Sequence, residues 1–101
     1  MARVRLSKQA EADLETIRAY SVAHFGRDVA RAYLESFHKA FRLLAEHPHI
    51  GIRHTNFDPP IHSLSNGSHR LYYDIEGEEV IVQAVLHKAT DVKRWLRAEN
   101  G

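Results

Sequence analysis

Residues 61–91, which read IHSLSNGSHRLYYDIEGEEVIVQAVLHKATD, determine the architecture of this chain. They contain two turn signals, Asn66-Gly67 and Gly77-Glu78, separated by an alternating run of side chains over residues 69–75. Asn-Gly is the strongest short hairpin signal, because a type I′ turn needs a positive φ at both central residues. The stretch therefore predicts a β-meander of three strands.

The two faces of this meander differ in composition. If Gly77-Glu78 is a two-residue loop, one face carries apolar cross-strand pairs that should pack on helices. These pairs are Ile75 with Val80, Tyr73 with Val82, and Leu71 with Ala84. The other face carries a mixed set that predicts either a solvated surface or a binding surface. This set is Arg70, Tyr72, Asp74, Ile81, Gln83, Val85 and His87.

Two amphipathic stretches that precede the meander predict helices. The first covers residues 8–25, with Ser7 as its N-cap and Gly26 as its C-cap. The second begins at Asp28 and ends before Pro48. Because only two or three residues around Gly26 link them, the helices should form an antiparallel hairpin. The second helix has the apolar stripe Ala30, Tyr33, Leu34, Phe37, Ala40, Phe41 and Leu44.

The remaining segments complete the predicted order of elements. Residues 2–6 alternate between apolar and basic side chains, which predicts a short strand that joins the meander non-locally. Residues 49–60 are expected to form a loop, and residues 91–101 a tail helix. The predicted fold class is α+β, in the order β-α-α-β-β-β(-α), with a helical hairpin packed on a small, mostly antiparallel sheet.

Composition limits the class of protein. The 101 residues suffice for one domain, residues 1–101, with a core that needs neither metal nor disulfides. Cysteine is absent, which fits a reducing cytoplasm, and no run approaches the ~20 apolar residues of a membrane span. Net charge is +1, from 14 basic and 13 acidic residues. We therefore expect no sequence-specific nucleic-acid binding by this chain alone.

No catalytic or metal site is predicted from spacing. His47, His49 and His54 suggest zinc, but a closed site needs four firmly placed ligands and the segment is predicted to be a loop. Five scattered glycines form no phosphate-binding loop, so we expect no cofactor. Capping and solvation explain the acids of the first helix, which are Glu11, Asp13 and Glu15.

The tail combines Trp95 with the cations Lys93, Arg94 and Arg97. Aromatic and arginine side chains dominate interface hot spots, so this segment is a candidate for contact with a target. The alternative is that Trp95 and Leu96 dock the final helix on the domain.

Three groups of residues carry a resemblance to a known family. Leu6-Ser7-x-x-Ala10-x-x-Asp13-Leu14-x-x-Ile17, followed by Tyr20, resembles that family's first helix. Its second helix and exit are resembled by Phe25-Gly26, the stretch from Ala32 and Leu34 to Phe41-x-x-Leu44, and Pro48-x-x-Gly51. Gly67-x-His69-Arg70-Leu71-Tyr72-Tyr73 and Val85-Leu86-His87 resemble its paired strands. The chain is similar to the ParE/RelE toxin superfamily, nearer the ParE, or plasmid-stabilisation, branch.

The resemblance implies a cytoplasmic bacterial toxin held inactive by a co-expressed antitoxin of the ParD type. ParE-like members act on DNA gyrase without a known catalytic site of their own, so we expect a topoisomerase inhibitor rather than an enzyme. As a hypothesis, acidic and apolar antitoxin residues meet Arg70, Tyr72 and the loop around Arg53. The full candidate set for binding antitoxin or target is Arg53, Arg70, Tyr72, Gln83, His87, Lys88, Lys93, Arg94 and Trp95.

Two alternatives remain open. RelE-like members cut messenger RNA in the ribosome, usually with a tyrosine near the C-terminus, and no tyrosine follows Tyr73 here. If the chain belongs to that branch, the candidate catalytic residues are His87, Arg70 and Lys88. The other alternative is a detoxified antitoxin-binding module, because residues 88–90 stand where ParE-like chains often carry arginines.

Overall fold

The computed structural model describes residues 1–92, which form two helices packed on one face of a five-stranded sheet. The elements are β1 (Arg3–Leu6), α1 (Lys8–Phe25), α2 (Arg27–Glu46), β2 (Ile52–His54), β3 (Ile61–Asn66), β4 (His69–Glu76) and β5 (Glu79–His87). The strand order is β1-β5-β4-β3-β2. The predicted α+β class, with a helical pair on a mostly antiparallel sheet, is confirmed.

The first strand joins the sheet non-locally, as its sequence position predicts. β1 pairs in parallel with β5, placing Val4 beside Val80 and Leu6 beside Val82. All other strand pairs are antiparallel. The chain returns from β1 through both helices before the meander begins, so the sheet is mixed and β1 forms one of its edges.

Capping residues set the limits of α1, and both caps agree with the prediction. The Ser7 hydroxyl accepts the N–H of Ala10 at 3.0 Å at the N-terminus. At the other end Gly26 adopts a φ of 87° and donates its N–H to the Val22 carbonyl. Gly26 alone separates α1 from α2, which begins at Arg27 rather than Asp28. A positive φ at this point favours glycine, because other residues rarely adopt it.

The segment predicted as a loop over residues 49–60 contains the short strand β2. It pairs with β3, with Arg53 opposite His62, and forms the second edge of the sheet. Three residues are too few to show a periodic pattern, so pairing with β3 rather than local preference makes this strand.

The β3–β4 hairpin turns one residue later than the Asn-Gly signal predicts. Asn66 pairs with His69, so the two central residues are Gly67 and Ser68. Gly67 has a φ of 59°, and no described non-glycine residue has a positive φ. A positive φ at the first central residue only is the pattern of a type II′ turn, not type I′. The β4–β5 hairpin does turn at Gly77-Glu78, as predicted.

A β-bulge in β5 changes the predicted register. Tyr73 pairs with Val82 as expected, but Tyr72 pairs with Ala84. Gln83 therefore stands opposite no β4 residue in the backbone register. Beyond the bulge, Leu71 therefore faces Val85 instead of Ala84. One extra residue in a strand exchanges the two faces of everything after it. Val85 and His87, predicted on the mixed face, lie on the helix side.

The core lies between the helices and the sheet. Its largest fully buried side chains are Tyr73, Phe37, Leu44, Leu71, Val80 and Val82. The predicted stripe of α2 supplies the helical half, whereas in α1 the buried residue near the C-terminus is Ser21, with Tyr20 exposed. This packing holds the meander and its turns in a fixed position relative to α1 and α2.

Two predictions concern membranes and the tail. Within residues 1–92, neither helix is long and apolar enough to cross a membrane. The predicted tail helix extends outside the described residues, as do its candidate binding residues Lys93, Arg94 and Trp95.

Candidate functional site

The N-terminus of α1 holds the bulge of β5. Besides capping the helix, the Ser7 hydroxyl donates to the Gln83 carbonyl at 2.8 Å. The carboxylate of Asp13 accepts the backbone N–H of Val85 at 2.9 Å. Asp13 is half-buried, so our interpretation of it as a capping or solvated acid is wrong. The spacing Ser7-x-x-Ala10-x-x-Asp13 places both anchors at the N-cap and first two turns of α1, the part of the helix that holds β5.

The bulge arranges the polar side chains of the middle of the sheet. The Gln83 amide donates to the Asp74 carboxylate at 3.0 Å, so this candidate binding residue is tied to β4. Arg5 of β1 lies 3.5 Å from the Glu79 carboxylate. Gln83 and Asp74 therefore have an internal structural role, and Gln83 is less available to a partner than its sequence position indicates.

The face opposite the helices is buried at its centre rather than solvated. The fraction of the residue surface exposed to solvent is 4% for Tyr72, 5% for Ile81 and 0% for Ala84. The candidate Tyr72 is therefore part of a packed layer. Arg70 is half-buried and stands beside Ser65 and Leu86 near the end of β4. Of the two candidates on this face of β4, Arg70 is the more accessible.

At the end of the meander, three aromatic side chains meet on the helix side. The hydroxyl of Tyr33 on α2 lies 2.7 Å from Nδ1 of His69, and the rings of His69 and His87 are 5.5 Å apart. The Tyr33 hydroxyl also accepts the Ser68 N–H at 3.2 Å. We predicted Tyr33 only as an apolar stripe residue; its contact with the turn had no signal in the sequence.

Burial and charge make His69 hard to protonate. Burial lowers the pKa of His69, and the neighbouring His87 lowers it further. His87 is exposed, and its Nδ1 accepts the Ala89 N–H at 3.0 Å. Lys88 is exposed beside it and donates its backbone N–H to Ser68. This end of the sheet thus presents one imidazole and one ammonium to solvent.

The motif Pro48-x-x-Gly51 is built around one hydroxyl. The Tyr73 hydroxyl donates to the Pro48 carbonyl at 2.8 Å and accepts the Gly51 N–H at 3.1 Å. A Cβ on Gly51 would lie 2.4 Å from the Ser63 carbonyl oxygen and 2.5 Å from that hydroxyl. Burial raises the pKa of Tyr73, and the Gly51 N–H partly offsets this. The motif therefore fixes the start of β2 against the core.

Histidines gather near β2 without forming a metal site. His62 stacks on Tyr73 with ring centroids 5.2 Å apart, and its Nδ1 is buried without a partner among the described residues. Burial lowers the pKa of His62, and His49 and Arg53 lower it further. His54 instead bonds the Ser63 hydroxyl at 2.7 Å. Residues 1–92 contain no group of three potential ligands placed to hold a metal ion.

The sheet register separates the candidate site residues into two sets. Arg53 pairs with His62 and His87 pairs with His69, which puts Arg53 and His87 on the helix side. Arg70 and Tyr72 lie on the opposite face. The candidates therefore do not form one continuous binding face.

Known proteins resemble this chain over most of its length. A family model described as the ParE toxin of a type II toxin–antitoxin system, parDE, matches residues 4–92. Toxin ParE1 of Mycobacterium tuberculosis (strain H37Rv) is 38% identical over 96 residues, covering 94% of this chain and 98% of that protein. Toxin ParE1 of Caulobacter vibrioides is 31% identical, covering 95% and 99%.

A solved structure has the same fold. It is described as the chromosomal ParDE TA system from P. aeruginosa, and a chain in it matches with a TM-score of 0.73 at 17% identity. The match covers 86% of this chain and 96% of that chain. At this identity the likeness concerns the arrangement of helices and strands.

Proposed function

Because this chain belongs to the ParE toxin family of type II toxin–antitoxin systems, we propose that it inhibits DNA gyrase or a related type II topoisomerase. In this proposal a ParD-like antitoxin binds the chain and neutralises it. When no antitoxin is bound, the toxin acts in the cytoplasm, where its target is. It binds the cleaved DNA complex of the topoisomerase and stabilises it.

The family match over residues 4–92 is the observation that carries this proposal. It spans the anchored bulge, both helices and the whole meander. Two relatives that cover this chain almost fully are both named ParE1 toxins. A shared fold alone would not support a shared target, since one fold serves many functions.

The proposed inhibition needs no catalytic group of the toxin's own. General acid–base catalysis requires a base, an acid and cations within hydrogen-bond reach of the same reacting atoms. Here Arg70 and His87 lie on opposite faces of the sheet, and Nδ1 of His87 is engaged by Ala89. This separation favours inhibition by contact over the RelE-like ribonuclease alternative.

The exposed end of the meander is a suitable surface for partners. Lys88 and His87 are exposed, and Arg70 is half-buried at the neighbouring end of β4. Cations at such a rim steer acidic partners and fix their orientation. In this proposal, acidic residues of the antitoxin contact Arg70. Tyr72 is buried, so it supports the strand and does not contact the antitoxin.

Controlled expression in bacterial cells tests the function. We expect growth to stop on induction, DNA synthesis to fall before protein synthesis, and co-expression of the antitoxin encoded beside this gene to restore growth. Protein synthesis falling first, with messenger RNA cut, would establish the ribonuclease alternative instead. Unimpaired growth with soluble, folded protein would identify a detoxified binding module.

A further inference from the structure

Three basic side chains meet at the edge of the sheet that β2 forms. Arg53 of β2 stands directly opposite His62 of β3, so both side chains lie on the helix side of the sheet. His49 precedes β2 in the chain, and its ring lies 6.2 Å from the His62 ring, measured between centroids. The strand pairing and the segment before β2 thus bring one guanidinium and two imidazoles together. We call His49, Arg53 and His62 the β2 cluster.

One hydrogen-bonding atom of the β2 cluster has no partner. Nδ1 of His62 is shielded from solvent and forms no hydrogen bond within residues 1–92. The His62 ring stacks on Tyr73 with 23° between the two planes, which fixes its orientation. Tyr73 is itself held by the hydrogen bonds of its hydroxyl to Pro48 and Gly51. Because buried polar atoms are nearly always paired, this nitrogen is a candidate for contact with a ligand.

Positive charge dominates around His62. Burial lowers the pKa of His62, and the charges of His49 and Arg53 lower it further. His54, the neighbour of Arg53 on β2, acts in the same direction. An imidazole in such surroundings is neutral until a negative charge approaches, because an anion stabilises its protonated form.

A single acid acts on His62, and its side chain is engaged elsewhere. The charge of Asp74 favours the protonated imidazole, but the Asp74 carboxylate accepts the Gln83 amide at 3.0 Å. Asp74 follows Tyr73 along β4, so it lies on the face opposite the β2 cluster. No carboxylate within residues 1–92 forms an ion pair with Arg53. The cluster therefore carries donors and positive charge that the described part of the chain does not neutralise.

We propose that the β2 cluster binds a terminal phosphate group, as carried by a free nucleotide or by the end of a nucleic-acid strand. The guanidinium of Arg53 donates two parallel hydrogen bonds to two phosphate oxygens. His49 and protonated His62 donate to the oxygens that remain. A carboxylate fits less well, because the arginine fork alone occupies both of its oxygens. A metal ion fits least, since a guanidinium repels it and the described residues offer no set of three ligands.

This site is independent of the proposed function, and its test needs neither topoisomerase nor antitoxin. The purified chain is titrated with inorganic phosphate at about pH 7 while NMR follows the imidazole signals, with chloride holding the ionic strength constant. We expect the signals of His49 and His62 to move saturably toward those of the protonated form. Arg53→Gln should weaken phosphate binding ~tenfold or more. Arg53 is exposed, so this change should leave the fold intact.

Arg3→Gln is the matched control. Arg3 is an exposed arginine of β1, the strand at the opposite edge of the sheet, so its loss should change phosphate affinity less than ~twofold. Equal losses in the two variants, or signals that move without saturating, would indicate an adventitious ion only and overturn the site. Acetate binding as tightly as phosphate would overturn the phosphate assignment and indicate a site for carboxylates of a partner protein.

Two oligonucleotides of the same sequence identify the molecule that carries the phosphate. One ends in a phosphate and the other in a hydroxyl. If only the phosphorylated strand displaces inorganic phosphate from the β2 cluster, the site takes the end of a nucleic acid. If neither strand displaces it and a mononucleotide does, the site takes the free nucleotide. Displacement by both strands alike would contradict recognition of a terminal phosphate.

Discussion

The carboxylate of Asp13 on α1 accepts the backbone N–H of Val85 on β5 at 2.9 Å, across 72 positions of sequence. Val85 is the second residue after Gln83, where β5 gains one residue over β4. With Ser7, whose hydroxyl donates to the Gln83 carbonyl, Asp13 satisfies backbone groups at the bulge. The bulge in turn decides that Val85 enters the core and that His87 lies on the helix side.

Removing this anchor should destabilise the fold. Asp13→Ala leaves the Val85 N–H without its partner in a partly buried place, which costs about 1–3 kcal/mol in the free energy of unfolding. Asp13→Asn keeps an acceptor oxygen and should lose about half as much. Urea unfolding gives these values, with Glu11→Ala, at an exposed position of the same helix, as control. Equal stability of Asp13→Ala and the control would contradict the anchoring role.

Glycine at position 51 is required for space. In Gly51→Ala the new Cβ meets the Ser63 carbonyl and the Tyr73 hydroxyl within 2.5 Å, so we expect a loss of about 2–3 kcal/mol. Gly77→Ala is the matched control, because its Cβ has nothing within 4 Å. Its φ of 59° should cost only about 1 kcal/mol. The comparison of thermal unfolding midpoints checks this order, and the reverse order would refute the close packing around Tyr73.

The stability of the protein should fall in mildly acidic solution. Burial, and then His87, hold the pKa of His69 below its usual value of 6.5. The neutral form therefore contributes stability that is fully present above about pH 6.5 and is lost as pH falls through the folded-state pKa. Burial is also the main cause that lowers the pKa of His62. Protonation of His62 should therefore lower the stability of the protein in acid as well.

His69→Asn should reduce this pH dependence, because it removes a titrating group and keeps polar atoms near Tyr33. The measurement is urea unfolding between about pH 7.5 and about pH 5.5, with His38→Asn, at an exposed position of α2, as control. A wild-type slope retained in His69→Asn would show that other groups cause the acid sensitivity.

Arg70 should contribute to antitoxin affinity. Arg70→Glu places a carboxylate where the proposed antitoxin brings its acids, so we expect ~tenfold weaker binding. Arg42→Glu, at an exposed position of α2, makes the same change of charge and should have little effect. If Arg70→Glu binds the antitoxin as tightly as wild type, the assignment of this contact is wrong.

Local chemistry explains which parts of the fold the sequence predicted. The limits of α1 follow from Ser7 and Gly26, which act on the backbone beside them. The non-local pairing of β1 follows from the lack of a local partner for residues 3–6; its parallel direction and edge position were not predicted. By contrast, the bulge at Gln83 depends on Ser7 and Asp13, which are more than half the chain away, and no feature of residues 79–87 announces it.

The same contrast holds for the site. Arg70, His87 and Lys88 are at the end of the meander, where the strand order predicts them. Their faces could not be assigned, because one unpredicted residue in β5 exchanges the two sides. Strand β2 has too few residues to show a period, so the position of Arg53 beside His62 was also not predictable.

We propose that this chain acts on gyrase by binding it. The direct measurement is a DNA-cleavage assay with purified gyrase, plasmid and the purified chain, with and without excess antitoxin. We predict that cleaved DNA accumulates with the chain, that supercoiling declines, and that the antitoxin abolishes both effects. A folded chain in molar excess that leaves supercoiling unchanged and produces no cleaved DNA would contradict the account.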